Sequence, residues 1–249
     1  MPSILSKAFV ASLAFAAAQA IPTVRRADSI GDNTALLEKL ITTPTEIKRQ
    51  QKLWTKDGKE LLDPESLVKA TTFDFSLEQP GATTAGGAPT ADVETFPILL
   101  GSGVTFNHVT LGACGIFLPH VHPRAHEFFV VVDGGEVEVT FTPEMGLLGG
   151  AGASPEITAT LKKDAGIVFP QGAIHYQINN SSDCKPSNIY AVLTSENAGT
   201  TLVLQDPTLG NATITKRQVG VEDFASVRAV LPARAVSVVE QCIKRCNLS

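Results

Sequence analysis

From Phe96 to Gln205 the chain is written in short β-branched or aromatic runs, FPILL, VTFNHVTL, HEFFVVVDG, EVEVTFT, EITATL, GIVFP, IHYQINN, NIYAVLTSE and TTLVLQ, each bounded by Gly, Pro, Asn or Asp. Short strands repeated with turn residues between them predict a β-sandwich or barrel. The flanks read differently. In 32–53, TALLEKLI places Leu36, Leu37, Leu40 and Ile41 on one helical face, and TPTEIKRQQKL follows with Pro44 near a helix start, so two short helices are expected. FDFSL at 73–77 alternates as a strand would, and the Gly/Ala/Thr/Pro stretch at 79–92 has no period and predicts a loop. Beyond the β-rich part, VEDFASVRAVL and ARAVSVVEQCIKRC, broken at Pro232, predict two tail helices.

Residues 1–20 carry one charge, Lys7, then an uncharged run from Ala8 to Ala18 and the small-residue pattern Ala18-Gln19-Ala20. This reads as a secretory signal cleaved after Ala20. The run is about half of the ~20 apolar residues that cross a bilayer, so no membrane role is expected. Arg25-Arg26 just beyond it offers a processing site for a short pro-segment. The formal charge of −5, with dibasic pairs scattered among acids, gives no stripe to collect phosphates and argues against a nucleic-acid partner.

Cysteine usage suits an exported chain. Cys114, Cys184, Cys242 and Cys246 allow three pairings; the spacing of the last two, one helical turn, suggests a small loop between them and leaves Cys114 with Cys184. A Cys-x3-Cys pair and two singletons make a poor zinc site. Sequons begin at Asn179, Asn180, Asn211 and Asn247, and Asn211, in a polar turn after Pro207 and Gly210, is the best placed to carry a glycan.

The chain has 5 His. In GIFLPHVHPRAHEFFVVVDG, His120 and His122 are two apart on an extended segment and leave from one face, Glu127 opens the next strand, and Gly134 permits the reversal into EVEVTFT. In FPQGAIHYQINN, Pro170 and Gly172 make a turn before a strand presenting His175. If the two strands face each other, three imidazoles and a carboxylate converge. His126 neighbours Glu127 and points away from it, which predicts a surface role; His108 and Asn107 lie on opposite faces of VTFNHVTL. Such a ligand set, free of thiolate and leaving two positions of an octahedron open, suits divalent manganese or iron better than closed tetrahedral zinc. The site would carry a net positive charge and attract a small anion.

These residues resemble the two motifs of the cupin superfamily. His120, His122, Glu127 and Gly134 match G-x5-H-x-H-x3,4-E-x6-G, with Gly115 one place off the leading glycine; Pro170, Gly172, His175 and Asn179 match G-x5-P-x-G-x2-H-x3-N, with Asp164 where the leading Gly belongs. HVHPRAHE is similar to the germin and spherulin-like branch, and the flanking helices extend the resemblance over most of the chain.

The resemblance implies an all-β fold: a single cupin, a double-stranded β-helix or jelly-roll barrel, with short N-terminal helices and a C-terminal helical tail. The expected divisions are a signal peptide at 1–20, an arm and loop at 21–92, a barrel at 93–215 and a tail at 216–249. It also implies manganese (alternatively iron) on His120, His122, Glu127 and His175, with Asn107, 13 residues before His120, facing the metal. Two kinds of function follow from it. One is an oxalate oxidase-type or superoxide dismutase-type manganese enzyme acting on a small anion, a two-cupin decarboxylase being disfavoured by the single motif set. The other is a secreted metal-binding cell-wall, spore or encystment protein. Germin-like cupins associate through a sheet edge and C-terminal helices, so the apolar face of ARAVSVVEQCI implies a homo-oligomer.

Overall fold

The computed structural model describes residues 32–76, 86–148, 155–204 and 217–248. The signal segment, Arg25-Arg26 and Asn211 lie outside the described residues. Three short helices come first, α1 (Thr34–Ile41), α2 (Glu46–Trp54) and α3 (Pro64–Thr71), with strands β1 (Thr55–Lys56) and β2 (Glu60–Leu61) paired between the last two. α3 is set by local chemistry: Asp63 accepts the Ser66 backbone N–H, and Pro64 takes the first position, where no N–H is needed. Apolar periodicity did not reveal it, because PESLVKAT offers only Leu67 and Val68 as large apolar residues.

The body contains β3 (Gly86–Gly87), β4 (Thr90–Ala91), β5 (Thr105–Leu111), β6 (Ile116–Val121), β7 (Glu127–Asp133), β8 (Val137–Thr142), β9 (Ile157–Leu161), β10 (Gly166–Phe169), β11 (Ile174–Asn179), β12 (Ser187–Leu193), β13 (Thr201–Leu202) and β14 (Gln218–Val219). One sheet runs β10-β7-β12-β5-β3, with β4 also on β5; the other runs β13-β6-β11-β8-β9, with β14 also on β6. All these pairs are antiparallel. β8 pairs β9, β7 pairs β10, β6 pairs β11 and β5 pairs β12, a nested hairpin rolled into two facing sheets, which is the jelly-roll expected from the strand pattern.

Alternation along the strands fills the space between the sheets. Val109, Leu111, Phe117, Phe129, Val131, Val137, Val139, Leu161, Phe169, Ile189 and Ala191 form one buried cluster, and each large member contributes about 1.5–3 kcal/mol by leaving water. Two positive-φ residues close tight turns. Gly134, at φ 90°, has no room for a Cβ, which would stand 2.5 Å from the Pro186 carbonyl. Asp164, at φ 65°, occupies the place of the pattern's leading glycine, and Asp is among the few side chains that tolerate this conformation.

Four local expectations are corrected. FPILL is not a strand, since Pro97 opens a 3-10 turn at Pro97–Leu99. FDFSL shows no strand through Ser76; Phe73 and Phe75 instead pack on each other and on Phe96, His108 and Tyr190. The loop expected at 79–92 contains β3 and β4, which add to the edge strand β5. The first tail helix is broken into Val221–Asp223, α4 (Phe224–Val227) and Arg228–Val230, while the second, α5 (Ala233–Cys246), is continuous.

α5 also overturns two further expectations. The disulfides are Cys114–Cys242 and Cys184–Cys246, and no bond joins Cys242 to Cys246. Residues one turn apart on a helix point side by side along one face instead of toward each other, so each reaches across to the barrel. The apolar face offered for self-association is covered: Ala235 and Val239 pack with Ile116, Leu118, Tyr176 and Ile178 on the outside of the second sheet. Arg234 bonds Glu138 at 3.0 Å, and Arg245 bonds the carbonyl and side-chain oxygen of Asn180. Asn179 is corrected as a glycan position. It is fully buried, and its amide nitrogen donates to the carbonyls of Leu111, Gly112 and Lys185, leaving no N–H or space for a sugar. Asn247 is exposed at the end of α5.

Candidate metal centre

His120 is next to last in β6, His122 follows that strand, His175 is second in β11 and Glu127 begins β7. His175 lies directly opposite His120 in the register of one sheet, and Glu127 reaches them from the other. One ligand atom from each of the four falls within 4.8 Å of all the others, and every one of these residues is at most 4% exposed. Phe169 stacks on the His175 ring at 4.4 Å, and Phe117 packs on His120 at 4.5 Å, so an apolar floor separates the cluster from the core below.

The main chain orients each ring. Nδ1 of His120 meets the Leu118 carbonyl at 2.7 Å, Nδ1 of His122 the Gly199 carbonyl at 2.6 Å, and Nδ1 of His175 the Ala173 carbonyl at 2.8 Å. A carbonyl only accepts, so each Nδ1 carries the proton and each Nε2 is left with its lone pair toward the centre. Glu127 Oε2 lies 2.8 Å from His122 Nε2 and 3.1 Å from His175 Nε2. Lone pairs and a carboxylate gathered this closely repel one another unless a proton or a cation lies between them, and a divalent ion satisfies all four at once. Burial, with the neighbouring His175, pushes the His120 pKa well below the usual imidazole value. Burial alone would raise that of Glu127, but its close contacts with His122 and His175 outweigh it and hold the carboxyl below the ordinary range.

A cavity of about 360 Å³ opens beside His122, where the β4–β5 edge of one sheet faces the β13–β14 edge of the other. Asn107 is on its wall, and the Asn107 Oδ1 is buried without a hydrogen-bond partner among the described residues. The sequence reading did not single out Thr90, Asp92, Thr95, Thr200 or Arg217, all of which also line it. They carry no motif spacing and arrive from segments far apart in the chain. His126 stands outside the cluster, exposed, with Nδ1 accepting from the Gln171 N–H. His108 stacks on Tyr190 on the outer face of the first sheet.

A family model described as Cupin matches residues 75–218. Spherulin-1A of Physarum polycephalum is 30% identical over 223 residues, 86% of this chain and 80% of that protein. Germin-like protein subfamily 2 member 4 of Arabidopsis thaliana is 31% identical over 70% of this chain and 79% of its own length. Among solved structures, oxalate oxidase in complex with the substrate analogue glycolate aligns over 71% of this chain and 83% of that one, at 21% identity and a TM-score of 0.46.

Proposed function

The chain belongs to the cupin family, and on that premise we propose that it is an exported germin/spherulin-like protein that holds one divalent ion, manganese or alternatively iron, on His120, His122, Glu127 and His175. The observation that carries the reading is the donor set: three imidazoles fixed by carbonyls with Nε2 inward, and one carboxylate beside them. Two disulfides support an oxidising compartment and therefore export.

The cavity favours an enzymatic role over a purely structural one. A bound ion of this kind supplies redox chemistry and a positive charge for an anion. The chain's own residues then border that anion beside His122, with the Asn107 Oδ1 available to accept a hydrogen bond from a water it carries. Oxalate oxidation and superoxide dismutation are the two reactions proposed. Self-association belongs to the same proposal, supported now by the outer face of the first sheet instead of by α5.

Elemental analysis of the purified protein tests the centre. About one manganese or iron per chain is expected, with His122→Ala losing the ion. Zinc at full occupancy, or no ion, would overturn the assignment. On the loaded protein, peroxide released from oxalate or removal of superoxide supports the enzyme reading; inertness toward both rejects these two reactions.

A further inference from the structure

The cavity beside the His/Glu cluster is roomier than oxalate or superoxide requires. Its volume of about 360 Å³ corresponds to about a dozen waters at ~30 Å³ each, against six non-hydrogen atoms in oxalate and two in superoxide. Its wall also has a second charged feature. Among the described residues, Arg217 is the one Arg or Lys lining this cavity. The Arg217 carbonyl accepts the Leu118 N–H at 2.9 Å, and Gln218 next to it pairs with Phe117. Arg217 is therefore rooted on β6 two residues before His120, about 7 Å along the strand. It is exposed, yet partial burial lowers its pKa, with Asp92 opposing that shift.

The other polar groups of this wall are largely committed. Asp92 Oδ1 accepts the N–H groups of Glu94 and Thr95, Thr95 Oγ1 donates to the Thr90 carbonyl, and Thr105 Oγ1 donates to the Ser195 carbonyl.

We propose that Arg217 receives the far carboxylate of a short organic diacid whose near carboxylate lies at the His/Glu centre, so that this cavity also admits dicarboxylates longer than the oxalate proposed above. Placement of the near carboxylate rests on the metal reading above; the role of Arg217 does not. A guanidinium offers two parallel N–H groups to a carboxylate, and a partly desolvated one gains more from that pairing than a fully hydrated one. A diacid carries one charge for each end, whereas a monoacid of equal length leaves Arg217 with only its attraction to Asp92.

Calorimetric titration of the full protein with succinate and with butyrate, which has the same number of carbons, tests this, with metal content measured on the same samples. The wild-type protein should prefer succinate by about tenfold or more. Arg217→Gln should bring the ratio near one by weakening succinate alone, with unchanged metal content and melting temperature, and Arg217→Lys should recover part of the preference. No succinate binding, equal affinity for the two acids, or a preference that survives Arg217→Gln would overturn the proposal. Succinate preference in protein that takes up no metal would reject the metal reading and leave the Arg217 assignment standing.

Discussion

His120 has the Leu118 carbonyl on one side and the ligand centre on the other, and burial keeps it neutral near pH 7. A depressed pKa means that the unfolded chain takes up the proton first as pH falls. This group's contribution is therefore intact above about 6.5, the ordinary imidazole value, and declines below it until the folded state is protonated too. Glu127 is depressed from a lower starting point, so its contribution persists through that window and fades only below the ordinary carboxylate range. Denaturant melts of metal-free protein should lose stability between pH 7 and 5, this one proton limiting the His120 share to about 1.4 kcal/mol per pH unit. His120→Asn should flatten the slope; an unchanged slope would show that another group sets it. Residue spacing made this cluster legible, because two His on one strand face and a third after a Pro-x-Gly turn can be read from sequence. The orienting partners were not legible, since they are carbonyls, which every residue possesses. Nor was Arg217, whose position depends on β14 pairing with β6.

At the scale of elements, α5 was visible in its 3.6-residue period, but its job was not. The period shows an apolar face and is silent on what covers it; the surface lay on the chain's own second sheet. The cysteine pairing was illegible for a related reason: Cys242 and Cys246 are close in sequence on an element that holds its side chains apart, and each pairs across to the barrel. Both disulfides sit at the end of the barrel away from the histidines: Cys114 precedes β6, which carries His120 near its far end, and Cys184 follows β11, which carries His175 near its start. Replacing Cys114 and Cys242 by Ala together removes a link across a separation of 128 residues and should cost about 2–5 kcal/mol, read as a lower denaturant midpoint. Metal content should stay at wild-type level, and a parallel loss of metal would show that α5 supports the far end as well.

Over the whole molecule, the nested antiparallel pairing was legible as fold class, and so was β13 within TTLVLQ, whereas the other two-residue strands of the barrel, β3, β4 and β14, were not. β3, β4, β13 and β14 each take their conformation from an edge already built, as Gly86 and Gly87 do on β5. The same tertiary placement creates an outer row of Phe106, Val192, Phe128 and Val168, in register across β5, β12, β7 and β10. Phe128 and Val168 are about half exposed. Strands lie about 4.8 Å apart, so the row runs ~15 Å across the outer face of the sheet. A second copy of the chain is its proposed cover, in keeping with the prevalence of symmetric homo-oligomers. Light scattering should give a multiple of the chain mass, reduced to one chain by Phe128→Asp; a monomeric wild-type protein would end that proposal.

The three carbonyls that set the histidine rings have a consequence for inheritance. Leu118 and Ala173 hold their neighbours through atoms that no side-chain replacement alters, so the surrounding sequence can drift widely while the rings keep their bearing. Gly199 is the exception. Its φ is 70°, a conformation that other side chains rarely adopt, so a single missense change there strains the carbonyl that holds His122 without altering any of the four candidate ligands.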